Sequence, residues 1–258
     1  MQLKNIFRYF VFFIVLVSYS SVNAQGYKIK TIVIDAGHGG VKPGAKGNFS
    51  WEKDVALKVA LKLGAKLQEE LPSIKIIQTR KTDVDVDWYK RAEIANDAKA
   101  DLFISIHCNS MPPGNSHVRG TETFVGAYRR INEMDAGLKE NEEIIKDKNY
   151  KKKGTFDPTD PEEMILLSLY KSLYRSKSLS LARHIQKNYT EVNKRVNRGV
   201  KEQGLLILQR AAMPSVLTEI GFISNADEEK YINSDEGQEE IITAIVNAVK
   251  QYKKEVEN

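Results

Sequence analysis

Residues 27–40 read YKIKTIVIDAGHGG, and the fold turns on how that stretch divides. Tyr27 to Asp35 reads as a strand, because Thr31-Ile32-Val33-Ile34 is the kind of continuous run that parallel sheets bury on both faces. Ala36-Gly37-His38-Gly39-Gly40 then ends it in a loop that no regular element tolerates. Turn formers continue through Lys42-Pro43-Gly44-Ala45-Lys46-Gly47. Beyond them, Glu52 to Leu71 places Val55, Leu57, Val59, Ala60, Leu63, Leu67 and Leu71 at helical spacing, and Pro72 breaks the helix off. Ile74 to Thr79 reads as a second strand, Trp88 to Ala98 as a second helix, and Asp101 to Ile106 (DLFISI) as a third strand.

Strand, helix, strand, helix, strand at this spacing predicts an α/β domain with a mostly parallel central sheet flanked by helices. Thr121 to Val125 adds a short strand, and the pattern returns in Leu205 to Leu208 and Ser215 to Glu219 (SVLTE). A long helix follows from Glu239 to about Tyr252, with Ile241, Ile242, Ile245, Val246 and Val249 toward the sheet. Between these halves the chain changes character. Tyr128 to Tyr150 is dense in charge, with a helix expected over Ile131 to Ile145 and a solvated lysine run at 151–153. Asp160-Pro161-Glu162-Glu163 combines an N-cap, a proline at the first helical position and an N3 carboxylate. It starts a helix to about Tyr174, and Ser178 begins another through Gln186. Residues 128–176 therefore read as a helical insertion, too poor in apolar residues to be a separate domain.

With 258 residues, 41% hydrophobic and 28% charged, the chain suits one domain and excludes disordered, collagenous and repeat-built classes. Its single cysteine, Cys108, excludes an intramolecular disulfide framework. Residues 1–24 (MQLKNIFRYFVFFIVLVSYSSVNA) read as a signal peptide: Lys4 and Arg8 precede an apolar core at Tyr9 to Val17, and Val22-Asn23-Ala24 offers a processing site. That core falls well short of the ~20 residues a membrane span needs, so no stable span is expected after processing. The mature chain, residues 25–258, is then exported. Its remaining positive charge is modest, and an exported protein has little occasion to meet nucleic acid, so none is expected as a partner. The GHGG run lacks the lysine and hydroxyl of a nucleotide-binding loop, which excludes that chemistry.

Four polar residues stand where strands end or a helix begins. His38 follows the first strand, Glu52 opens the first helix, His107 follows DLFISI and Glu219 ends SVLTE. Ligands of open α/β sheets bind at the carboxyl ends of the strands. Two imidazoles and a carboxylate are a sound ligand set for zinc, and a further carboxylate beside a polarised water is what metal-assisted hydrolysis needs. Their separations of 14, 55 and 112 residues match no short metal signature. By spacing alone, a histidine capping a glycine-rich loop and a satisfied core histidine remain alternatives.

The segments TIVIDAGHGG, GAKGNFSWEKDVALKVALKLGAKL, TRKTDVDVDWYKRAEIANDAKADLFISIHCN, GTETFV and SVLTEIGFISNADEE resemble, in order, the zinc-dependent N-acetylmuramoyl-L-alanine amidases, the cell-wall hydrolases called amidase type 3. The likeness runs from about Lys28 to Val249, interrupted mainly by the insertion. It implies one zinc held by His38, Glu52 and His107, with Glu219 catalytic. It implies hydrolysis of the amide between the lactyl group of N-acetylmuramic acid and L-alanine in peptidoglycan, in wall remodelling and daughter-cell separation. The insertion resembles the region that, in division-associated amidases, carries a helix occluding the zinc until a protein activator displaces it. Glu140, followed by Asn141, is the nearest match to its zinc-binding glutamate, with Glu142 and Glu143 close by; a charged surface helix is the alternative. The expected location is the periplasm of a Gram-negative bacterium, or outside the cell.

Other residues read more plainly. Asn109 suits either substrate contact or loop closure. Arg80, Arg91 and Asp83 suit an ion-pair network holding the strand ends. Cys108 should turn to the opposite face from His107 as a small buried filler. His117 and His184 read as surface or boundary residues. Two rival functions stay distinguishable: a zinc peptidase on stem peptides, whose first histidine and glutamate would lie closer together, and a non-catalytic wall-binding protein, which would have lost a site residue.

Overall fold

The computed structural model describes residues 27–127 and 161–258. Its six strands are β1 (Thr31–Ala36), β2 (Lys75–Gln78), β3 (Leu102–Asn109), β4 (Thr121–Gly126), β5 (Asn197–Gln203) and β6 (Ser215–Phe222). They form one sheet in the order β2-β1-β3-β6-β4-β5. The helices are α1 (Glu52–Glu70), α2 (Trp88–Asp97), α3 (Pro161–Glu191), the short α4 (Leu206–Gln209), α5 (Ala226–Asn233) and α6 (Asp235–Glu257).

The continuous apolar runs behave as their composition requires. β1, β3 and β6 are buried on both faces, as is the less apolar β4, and the pairs β2–β1, β1–β3 and β3–β6 are all parallel. β4 departs from that pattern, running antiparallel to β6 and parallel to β5. The sheet is therefore mixed, and its site edge combines the carboxyl ends of β1, β3 and β6 with the starts of β4 and β5.

Each face has its own core. On one side α1 packs Val55, Val59, Ala60, Leu63 and Leu67, α3 packs Leu181, Ile185 and Tyr189, and α6 packs Ile241, Ile242, Ile245 and Val249, against Ile32, Ile34, Ile104 and Val216. On the other, α2 and α4 meet Val33, Phe103, Phe124 and Leu217. Full burial of each such side chain is worth ~1.5–3 kcal/mol, so the two cores hold the sheet edge rigid under the site.

Several elements differ from the sequence expectation, each for a local reason. Leu205 to Leu208, expected as a strand, falls almost entirely in the single turn α4. The strand instead precedes it, as the polar sequence NRGVKEQ of β5, which occupies the sheet edge and so needs no apolar run. The two helices expected over 161–174 and 178–186 are one continuous helix, α3. α6 begins at Asp235, not Glu239, because the Ser234 hydroxyl accepts from Gly237 N and caps it there. The unexpected α5 is capped in the same way by Asn225, whose side chain accepts from Asp227 N and Glu228 N.

Candidate metal centre

α1 brings Glu52 to the site. The residue occupies the first helical position, where the helix dipole favours a carboxylate. Both of its oxygens are engaged: Oε2 accepts from Ala45 N at 2.8 Å, and Oε1 from Cys108 N at 3.0 Å. Oε1 also lies 3.1 Å from His38 Nε2 and 2.9 Å from His107 Nδ1. The imidazole rings stand edge to face, with centroids 5.0 Å apart. One ligand atom from each of the three residues falls within 4.8 Å of the others. Exposure of 9% for His38, 1% for Glu52 and 5% for His107 makes the cluster a nearly dry one.

The donor set fits zinc. Ligand atoms on a tetrahedral zinc, with bonds of ~2.0–2.1 Å, sit roughly 3.3 Å from one another. Oε1 already stands near that distance from both ring nitrogens. Local backbone is shaped to permit the convergence. His38 itself adopts a left-handed φ of 56°, unusual for a residue with a Cβ. A Cβ on Gly37 would fall 2.3 Å from the His107 ring, and one on Gly44 (φ +69°) would fall 2.6 Å from Glu52 Oε2 and from the His38 ring. Only glycine leaves room for the three ligands at these two positions.

The His38 loop is fastened from behind. Arg91 Nη2 donates to His38 O at 2.6 Å, and Arg91 Nη1 to Ala36 O at 2.6 Å. Arg80 donates to Ala36 O, Gly37 O and Lys53 O. Asp35, wholly buried, accepts from Arg91 Nη1 at 2.8 Å and from the hydroxyls of Thr79 and Ser105, each at 2.6 Å. Burial pushes the Asp35 carboxyl up, but the Arg91 charge and the two hydroxyls outweigh it and hold the group below its ordinary range. Asp83 accepts from Gly40 N and from Lys53 Nζ. Arg80, Arg91 and Asp83 thus hold the strand ends as the sequence suggests, but the ion pairs are Arg91–Asp35 and Lys53–Asp83, while Arg80 acts through backbone carbonyls.

Glu219 lies in β6, directly paired with His107 of β3, and is 2% exposed. Paired residues leave a sheet on the same face, so its carboxylate belongs to the edge that carries His107. Asn109 Nδ2 donates to Glu122 Oε2 at 3.2 Å, and Asn109 Oδ1 accepts from Ser110 N. Cys108 is buried in the core under α1. His184 pairs with Glu255 at 2.7 Å, away from the cluster. Glu140, Glu142 and Glu143, and the signal segment, lie outside the described residues. Sequence reasoning missed Glu122, a buried carboxylate across β4 from Glu219. Its only sequence signal is a charged residue inside the short strand TETFV.

Comparison with known proteins places this arrangement. The N-acetylmuramoyl-L-alanine amidase family profile matches residues 32–251. The amidase AmiA of Escherichia coli is 32% identical over 224 residues, which is 86% of this chain and 76% of that protein. Among solved structures, an N-acetylmuramoyl-L-alanine amidase from Clostridium difficile superposes with a TM-score of 0.64 at 27% identity, covering 88% of this chain and 97% of that one. The catalytic domain of CwlV from Bacillus (Paenibacillus) polymyxa var. colistinus gives 0.65 at 26% identity, covering 88% and 99%. The chain therefore belongs to the N-acetylmuramoyl-L-alanine amidase family, enzymes of amidase chemistry whose substrate class is peptidoglycan.

Proposed function

We propose that the protein hydrolyses the amide between the lactyl group of N-acetylmuramic acid and L-alanine, with one zinc held by His38, Glu52 and His107 and with Glu219 as general base. The observation that carries this reading is the convergence of three buried donors at the sheet edge, with a fourth carboxylate paired across the strand from one of them. Zinc bound there supplies a Lewis acid for the amide carbonyl and lowers the pKa of water. The protein residues do the rest. Glu219 takes the proton of the attacking water and returns it to the leaving nitrogen, so that L-alanine departs as an amine. Glu52, fixed by Ala45 N and Cys108 N, holds its ligand oxygen in place without reorganisation, and Arg91 and Arg80 do the same for the His38 backbone.

Mass spectrometry of digested sacculi tests the bond assignment. Glycan strands with free lactyl carboxylates, and stems with a free L-alanine amine, are expected. Shortened stems still attached to muramic acid would identify a peptidase instead.

The family resemblance extends the proposal to wall remodelling at cell separation, with export to the periplasm. Among the described residues no helix is long and apolar enough to cross a membrane. It also extends it to a protein activator displacing a helix near Ile131 to Ile145 in the insertion at 128–176. On that reading Glu140→Ala raises the basal rate of dye release from labelled peptidoglycan, because loosening a closed state recovers the open fraction. Unchanged rates for Glu140→Ala, Glu142→Ala and Glu143→Ala, and for a folded variant lacking the segment, would end it.

A further inference from the structure

Trp51, the residue before α1, gives the helix no side-chain cap. The backbone of the preceding segment caps it instead: Glu52 N donates to Ala45 O at 2.9 Å and Lys53 N to Pro43 O at 3.1 Å. Residues 45–52 close as a hairpin, with Lys46 bridged to Trp51 and Gly47 N donating to Ser50 O at 2.9 Å. At its base Ala45 N also holds Glu52 Oε2. The position of Glu52 therefore depends on the hairpin twice, through its backbone amide and through its carboxylate. The tip of the hairpin is held by one residue of another element. Glu229 of α5, 0% exposed, fills the turn. Its Oε2 accepts from Asn48 N at 2.7 Å and Asn48 Nδ2 at 2.9 Å. Its Oε1 accepts from Phe49 N at 2.9 Å and from Ser50 N and Oγ, each at 2.8 Å. A Cβ on Gly47 would fall 2.1 Å from Oε1, so glycine is what admits the carboxylate.

Among the described residues Glu229 pairs with no cation, so the donors of the turn, three successive amides among them, are what compensates its burial. Burial pushes its carboxyl up, but the bonds from Phe49, Ser50 and Asn48 outweigh it and hold the group below its ordinary range. Closing the turn does not require this residue, since the Gly47–Ser50 and Lys46–Trp51 contacts already do so. What the buried carboxylate adds is a fixed placement of the turn against α5. That helix is a firm anchor: Glu228 accepts from Gly120 N and Phe222 N and pairs with Arg195 at 2.7 Å, tying α5 to the end of β6, the strand of Glu219. We infer that Glu229 is a positioning residue for the metal centre: by clamping the turn at Asn48, Phe49 and Ser50 it fixes the hairpin, and through the hairpin the carboxylate of Glu52. The inference rests on the reading of Glu52 as a zinc ligand.

Chelator competition on the purified protein reads zinc affinity without any turnover. Glu229→Gln keeps the size of the side chain but turns an amide NH2 toward the donors of the turn. Gly47→Ala leaves Glu229 in place and expels its carboxylate from the tip, on a backbone whose φ is not positive, so it decides alone if Glu229→Gln does not fold. Each should weaken zinc binding by about 10–100-fold, measured where circular dichroism shows the protein folded. Val249→Ala, on the core face of α6, is the control: it should lower Tm yet leave zinc affinity within about twofold of wild type. In a Glu52→Gln background, adding Glu229→Gln should cost no further affinity, because its effect passes through that carboxylate. Unchanged affinity in either folded variant, whatever its Tm, or an equal further loss in the Glu52→Gln background, overturns the inference while leaving the amidase reading intact. A Glu52→Gln protein that binds zinc as tightly as wild type overturns the ligand assignment itself, and the inference falls with it.

Discussion

Asp35→Asn removes one charge beneath the His38 loop and almost nothing else. The asparagine keeps the shape of Asp35, but Arg91, 4% exposed, loses the only carboxylate it pairs with among the described residues. Breaking a buried ion pair by removing one partner costs ~3–5 kcal/mol. The low end applies, since Arg91 keeps three carbonyl acceptors, those of Ala36, His38 and Val86. About 3 kcal/mol corresponds to a fall in Tm of roughly 6–12 °C for a chain of this size. Because the same guanidinium holds His38 O, zinc affinity should drop as well, by about 10–100-fold.

The variant also carries a pH signature. Asp35 has a depressed carboxyl pKa in the folded state, so its contribution is complete above the ordinary carboxylate value and is lost as pH falls through the folded value. Asp35→Asn should flatten that acid limb of stability while lowering the neutral plateau. Scanning calorimetry of both proteins from neutral to acid pH, at fixed zinc and again in chelator, reads all three effects. A Tm within about a degree of wild type, with the same acid limb and zinc affinity, would refute the role given to this network.

Gly44→Ala puts a methyl group against both Glu52 and the His38 ring on a backbone of positive φ, so zinc affinity should fall at least tenfold in a chelator competition while the two cores stay folded. Unchanged affinity would mean that the loop relaxes freely and does not shape the site. His38→Ala and His107→Ala should each lose zinc on dialysis, read by elemental analysis; stoichiometric tight zinc in either would contradict the ligand set.

Most of the sheet was legible because central parallel strands and amphipathic helices carry strong periodic signals. TIVI, DLFISI and the α1 stripe each state their burial in their composition. The edge was not. β5 is polar because only part of it faces a core, and its cations serve Glu122. Leu205 to Leu208 looks like a strand because four apolar residues in a row carry no period, yet the run forms one turn under the sheet. Asn225 and Ser234 are helix caps visible in the sequence, and reading them would have found α5 and the true start of α6. The candidate ligands were legible as polar residues at strand ends. Spacing could not join them, since convergence depends on α1 folding back over β3, a contact between residues 55 apart.

Glu219→Gln tests the central claim most directly, because it separates chemistry from metal binding in one sample. The glutamine keeps the size of the buried side chain but cannot accept a proton. Zinc content and turnover of intact peptidoglycan should be measured on the same preparation. The account predicts one zinc per chain, as in wild type, with turnover lower by roughly 10²–10⁴-fold. Near-normal turnover would remove Glu219 from the reaction, and loss of the zinc would make it a ligand instead of the base.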